Sequence, residues 1–255
     1  MCLRRSSVPV PLRLSPLELL PSKLMCGRYR LTRADRLAEK FEAACASDDL
    51  GLKPRYNIAP TQPIIVVRAV ESRRIASAMR WGLIPSWATD FSSTQINARS
   101  ETVFDKPAFK ESFERRRCLI PADGFYEWRR RVNTNQPFHF GLKDDALFAF
   151  AGIWDRWTQP GGQGIESCAI LTTTANQLMR DVHDRTPAMV REQDYDEWLT
   201  SAPGESYRLV DLLGPYDAES MRRYPVSSVV NYVENDVPAC AVEVPEMGAA
   251  QGSLF

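Results

Sequence analysis

The sequence predicts an α+β fold: one domain on a curved mixed β-sheet or open barrel, flanked by helices. Its 255 residues, 44% hydrophobic and 10% aromatic, suffice to bury a substantial core in a single domain. Short β-branched or aromatic runs bounded by Gly, Pro, Asn or Asp recur along the chain and read as strands. The helical stretches between them are irregularly placed, without the strand and helix alternation of a doubly wound sheet.

Residues 1–24 are proline-rich and basic, have no sustained period, and read as an extension outside the fold. The domain spans 25–242. Thr32 is placed to cap a helix, with Asp35 three residues on and Leu37, Phe41 and Ala44 spaced for one face, so a helix over about 32–44 is expected. Strands are expected at 63–70, 118–120, 146–151, 168–174 and 226–233, and further helices at 106–116, 175–182 and 192–200. Residues 243–255 read as a loose tail. No internal repeat is visible.

Thirty-two basic residues balance thirty-two acidic ones, so there is no overall cationic field and any nucleic-acid contact is local. Arginine far outnumbers lysine, which suits forked recognition of phosphate and equally follows from a GC-rich genome. The six cysteines, at 2, 26, 45, 118, 168 and 240, form no Cys-x-x-Cys pair or cluster, which argues against zinc and against a stapled secreted scaffold. Two histidines, His139 and His183, rule out a three-histidine metal site. No apolar run reaches the roughly 18–20 residues of a membrane span. A reduced, cytoplasmic setting, nucleoid-associated in a bacterium, fits these features, with neither metal nor cofactor required.

Several loops are chemically loaded. Met25-Cys-Gly-Arg-Tyr29 opens the foldable region, followed by Arg55-Tyr-Asn-Ile-Ala-Pro-Thr-Gln62, Arg80-Trp-Gly-Leu-Ile-Pro-Ser-Trp87, Ile96-Asn-Ala-Arg-Ser-Glu101, Pro121-Ala-Asp-Gly-Phe-Tyr-Glu-Trp128 and His183-Asp-Arg-Thr-Pro187. In this order the motifs resemble those of the SOS-response-associated peptidase family, the abasic-site processing proteins, from Cys26 to about Val242. The resemblance implies a catalytic cysteine at Cys26, an abasic-site-sensing asparagine at Asn97, a glutamate at Glu127 and a histidine at His183. It also implies capture of the abasic aldehyde as a thiazolidine by an N-terminal cysteine, on single strands and at junctions with duplex, during the DNA-damage response.

The residues suit that chemistry in their own right. A 1,2-aminothiol traps aldehydes, because an α-amine with a pKa near 7.7–8.0 is partly neutral at physiological pH and the adjacent thiol closes a five-membered ring on the imine. Nearby cations such as Arg28 favour the thiolate, and Gly27 leaves room for close approach. Glu127, between Tyr126 and Trp128, suits proton transfer, with a pKa expected to rise in an aromatic pocket. His183 suits a second proton-transfer role, and Asn97 is a two-way hydrogen-bonder for a sugar or aldehyde oxygen. Blander readings stand beside these: a buried thiol, a strand charge, a helix cap and a turn residue.

For DNA, Arg28, Arg80, Arg99 and Arg185 are candidate phosphate contacts, Asn57 a further contact from its motif, and Trp81 and Trp87 candidate stacking faces. Solvated arginines and core aromatics are the alternatives. The 24 residues ahead of Met25 leave the Cys26 nitrogen in an amide, so capture requires translation from Met25 or cleavage after it. Two other functions stay open: a cysteine peptidase using Cys26, His183 and Glu127 and acting on its own leader, and a non-covalent single-strand-binding module. DNA lyase activity also stays open, and a monomer is expected.

Overall fold

In a computed structural model, the described residues are 27–47, 50–131, 134–158, 161–162 and 164–246. The expected extension, residues 1–24, and Cys26 lie outside them, as do 247–255. In chain order the elements are β1 (Tyr29–Leu31), α1 (Leu37–Phe41), β2 (Ala43–Cys45), β3 (Arg55–Ile58), β4 (Pro63–Val70), β5 (Arg73–Trp81) and β6 (Asn97–Arg99). There follow α2 (Lys110–Arg115), β7 (Arg117–Ala122), β8 (Gly124–Arg131), β9 (Thr134–Leu142), β10 (Phe148–Thr158), β11 (Gly164–Thr174), β12 (Arg185–Pro187), β13 (Met189–Val190), α3 (Tyr195–Thr200) and β14 (Met221–Pro225). The architecture is α+β: two sheets, one ordered β14-β9-β8-β1-β3 and a larger one ordered β12-β11-β10-β7-β4-β5-β2, with β6 and β13 added to β11 and β10.

The two sheets are joined at Asp123, where β7 of the larger sheet turns into β8 of the smaller. Every residue of β7 is buried, so this strand is the spine of the core. Asp123, 1% exposed, holds the corner: its carboxylate accepts from the Thr32 N–H and hydroxyl (2.7 Å for the latter) and from the Arg33 N–H, 3.0 Å, and pairs with Arg30 at 2.8 Å. A buried carboxylate satisfied by several donors is stable where an unpaired one is costly.

That same staple accounts for a departure from expectation. Thr32 spends its donors on Asp123 rather than on a cap, so the helix expected at 32–44 shrinks to a short 3-10 turn at Ala34–Arg36 and α1, closed by Glu42 in the left-handed region (φ 48°). Residues 43–45 become a strand. The helix expected at 175–182 is a series of turns, with Met179 N–H on the Asn176 carbonyl at 3.2 Å. The strand expected at 226–233 is one bridge, Val226 to Glu243, followed by a 3-10 turn at Ser228–Asn231. The expected tail begins later than 243, because Val244 N–H donates to the Pro225 carbonyl at 3.0 Å and Glu246 pairs with Arg129. Among the described residues no helix is long and apolar enough to cross a membrane.

Candidate functional site

β1 is antiparallel to β8, with Tyr29 opposite Phe125 and Arg30 opposite Gly124. The pairing continues as the Tyr126 N–H donates to the Arg28 carbonyl, 3.0 Å. One further step on this register sets Gly27, the residue after Cys26, level with Glu127. Strand alternation puts Glu127 on the Phe125 side of β8, and it is 4% exposed. A Cβ built at Gly27 meets nothing within 4 Å, so the space flanking the start of β1 is open among the described residues.

A second group is tied to the first by one ring. Trp81 is wholly buried; it meets Tyr29 edge-on at 5.4 Å, and its indole N–H donates to the Ile96 carbonyl at 2.9 Å. Asn97 comes next, opening β6, which runs parallel to β11 with Asn97 beside Ile170 and Arg99 beside Thr172. Trp81 therefore fixes the segment carrying Asn97 against the start of β1. It shows no open face to a base, and the stacking role expected of it is replaced by packing; the exposed ring of that motif is Trp87, at 60%. Asn97 is half-buried and Arg99 exposed.

His183 sits in the turn between β11 and β12, where Ala175 N–H donates to the Asp184 carbonyl at 3.0 Å. Its Nδ1 accepts from the Arg185 N–H at 3.0 Å and lies 2.9 Å from Asp184 Oδ1. The two contacts favour opposite states of Nδ1. Burial lowers the His183 pKa, against the pull of Asp184 and helped by the charges of Arg130 and Arg185, so the neutral ring with Nδ1 accepting and Nε2 carrying the proton is the better description. The turn is tethered to β8, since Asp181 pairs with Arg129 at 3.6 Å and also with Arg223. Glu127 and His183 thus lie on two segments held together by that ion pair.

The arginines and Asn57 fall into three arrangements. Arg185 grips Glu101 with both Nη atoms, Nη2 to Oε2 at 2.8 Å, and reaches the Thr172 carbonyl at 2.6 Å. Arg28 donates to Asn57 Oδ1 at 3.0 Å and to the Val230 carbonyl at 2.7 Å, with its guanidinium over Trp128 at 5.9 Å. Asn57 is fully buried, its amide nitrogen donating to the carbonyls of Tyr232 and Asn235, both at 2.9 Å. Arg28 and Asn57 therefore hold the 228–241 segment beside Trp128, whose indole N–H donates to Asn231 Oδ1 at 2.7 Å. Arg80 lies apart, bonded to the Gly82 carbonyl at 3.2 Å and over Phe91 at 5.9 Å, in a groove shared with Arg156 and Glu166. Among the described residues no three His, Cys, Asp or Glu side chains group to hold a metal ion.

Residues 25–233 match the family model described as SOS response associated peptidase. The chain belongs to that family. Among its relatives, the abasic site processing protein YoqW of Bacillus subtilis (strain 168) is 41% identical over 218 residues, covering 84% of this chain and 97% of YoqW. The abasic site processing protein HMCES of Mus musculus is 32% identical over 270 residues, covering 85% and 75%. A crystal structure of a Bacteroides thetaiotaomicron protein superposes with a TM-score of 0.78 at 25% identity, covering 86% of this chain and all of that one. Another, from Bordetella bronchiseptica, has a TM-score of 0.67 at 28% identity, over 79% of this chain and all of that one.

Within this SOS response associated peptidase domain, the sequence reading passed over several residues that shape the site. The Arg129–Asp181 pair tethers the His183 turn and Glu101 fills the Arg185 fork. His139 is fully buried beneath β8, stacked on Tyr224 at 4.7 Å. Each acts through a partner dozens of residues away and so carries no local signal, and the place of Glu101 at the end of its motif was the one available hint.

Proposed function

We propose that the protein captures abasic sites in single-stranded DNA as a covalent thiazolidine through Cys26, once that residue is the N-terminus. The observation that supports this most is the β1–β8 register, which brings the residue following Cys26 to the level of the buried Glu127. The α-amine adds to the ring-opened aldehyde and water leaves, giving an imine; the thiol sulfur then bonds to the imine carbon while the thiol proton passes to nitrogen. Atoms balance as aldehyde plus aminothiol giving thiazolidine and one water.

In this reading Glu127 moves protons during sugar-ring opening and water loss. His183, neutral with the proton on Nε2, serves as donor to the sugar or its leaving oxygen, and Asn97 holds a sugar oxygen. Arg99 and Arg185 take the phosphates flanking the lesion, whereas Arg28 and Asn57 hold the wall beside them. An abasic nucleotide has no base to unstack and bends into such a pocket at low cost. The chemistry needs neither metal nor cofactor. It does need a free Cys26 amine, supplied by translation from Met25 with removal of the methionine, or by cleavage after residue 25.

The test is denaturing electrophoresis after incubation with an abasic single-stranded oligonucleotide. A heat-stable shifted band with wild type, absent with Cys26→Ala, is expected; an equal band in both discards the reading.

A further inference from the structure

The Arg185 fork is already filled. Its two Nη atoms grip both oxygens of Glu101, while Nη2 also reaches the Thr172 carbonyl at 2.6 Å and hydroxyl at 3.2 Å. The Arg185 side chain is 11% exposed and that of Glu101 45%. The arginine is thus set into the wall between β11 and β12, and the glutamate is the part that faces out. Glu101 also feels Arg99: burial pushes its pKa up, but the hydrogen bonds and charge of Arg185 with the charge of Arg99 leave it below the usual carboxylate value. One carboxylate therefore lies within the field of two arginines, Arg99 at the end of β6 and Arg185 at the start of β12.

A carboxylate presents two oxygens to a guanidinium in the same forked geometry as a phosphate. An ion pair whose acid is nearly half exposed is weakly held and screened by salt, so it yields to a better anion. Arg185 itself need not move, because its bonds to Thr172 persist and its main chain stays on His183 Nδ1. We propose that Glu101 is a resident stand-in for a DNA phosphate, occupying the Arg185 fork in the free protein and leaving it when a strand enters, and so setting the affinity of single-strand binding. This rests on the reading that the strand passes Arg99 and Arg185.

The experiment is fluorescence anisotropy of Glu101→Gln with an undamaged oligo-dT strand, which has no aldehyde, over a range of salt. Removing the resident anion should tighten binding about two- to fivefold at roughly 0.1 M salt, with the log K against log salt slope close to that of wild type, because Arg185 takes the same phosphate in both proteins. Glu101→Ala should do the same and serves if the glutamine variant folds poorly, with folding checked by thermal melting. A folded variant that binds as wild type does, or more weakly, overturns the proposal and makes Glu101 a positioning residue for Arg185. Adduct formation with abasic DNA is read separately, so loss of capture in wild type refutes the capture reading and leaves the binding comparison intact.

Discussion

Gly124→Ala probes the corner on which the site is built. A Cβ at Gly124 falls 2.0 Å from His139 Nε2, 2.8 Å from its Cε1 and 2.9 Å from Arg30 Nε. Ordinary contact requires the imidazole to retreat by more than an ångström. It has nowhere to go: the ring is stacked on Tyr224 at 4.7 Å and edge-on to Tyr126 at 5.6 Å, and a Cβ at Gly141 would lie only 3.0 Å from its Cε1. Overpacking of this kind costs about 1–3 kcal/mol, and the contact distances place Gly124→Ala at the upper end, about 3 kcal/mol. At roughly 2–4 °C per kcal/mol for a domain of this size, the melting temperature should fall by about 6–12 °C. The assay is thermal unfolding of Gly124→Ala, His139→Ala and the double variant. In the His139→Ala background the added methyl should cost far less, a coupling of about 1–3 kcal/mol. A single Gly124→Ala variant melting within about 1 °C of wild type, or an undiminished cost in the double variant, refutes the socket.

His139 also sets a pH dependence, since burial, then the charges of Arg30 and Arg222, hold its pKa well below the usual value. The unfolded chain takes up a proton below about pH 6.5 that the folded one refuses, so this stability is present above that pH and is lost on acidification, at about 1.4 kcal/mol per pH unit. Urea titrations from pH 7 to 5 should show this slope, and His139→Phe should remove it; an unchanged slope contradicts it. Trp81→Ala should cost about 3–5 kcal/mol as a buried cavity, whereas Trp81→Phe should leave affinity for undamaged single strands unaltered; a weakened Phe variant would restore the stacking role. Glu127→Gln and His183→Ala should each change adduct formation or release by about 100-fold in folded protein, and wild-type rates in both directions would remove their proton-transfer roles.

The fold class was legible because the apolar strands announce themselves: 63–70 is the observed β4, and 118–120 and 168–174 fall inside β7 and β11. β5 and β8 were not, since Arg73-Arg-Ile-Ala-Ser-Ala-Met-Arg and the arginines after Trp128 dilute their apolar alternation while the sheet supplies carboxylate, carbonyl and aromatic partners from elsewhere. The 226–233 run shows the reverse failure. It has the composition of a strand, yet the carbonyls of Val230, Asn231, Tyr232 and Asn235 accept from the side chains of Arg28 and Asn57, so they are unavailable to a ladder. Such competition comes from residues about 170–200 positions away, where no window of sequence reaches. At the site, an arginine in a motif does not say whether its fork holds a carbonyl, a carboxylate or solvent. Arg28 and Arg80 turned out to hold backbone carbonyls, whereas Arg185 also holds a carboxylate.

The central claim is that the nucleophile is an α-amine paired with the thiol of the same residue. Intact-mass measurement of adducts tests it most directly, comparing protein that begins at Cys26 with protein in which residues 1–25 are retained by a cleavage-resistant junction. The Cys26 chain should give an adduct of protein plus abasic oligonucleotide less one water, stable to heat without added reductant. The longer chain should bind DNA and form no such adduct. The same heat-stable species from the longer chain would contradict it and place the nucleophile on another residue.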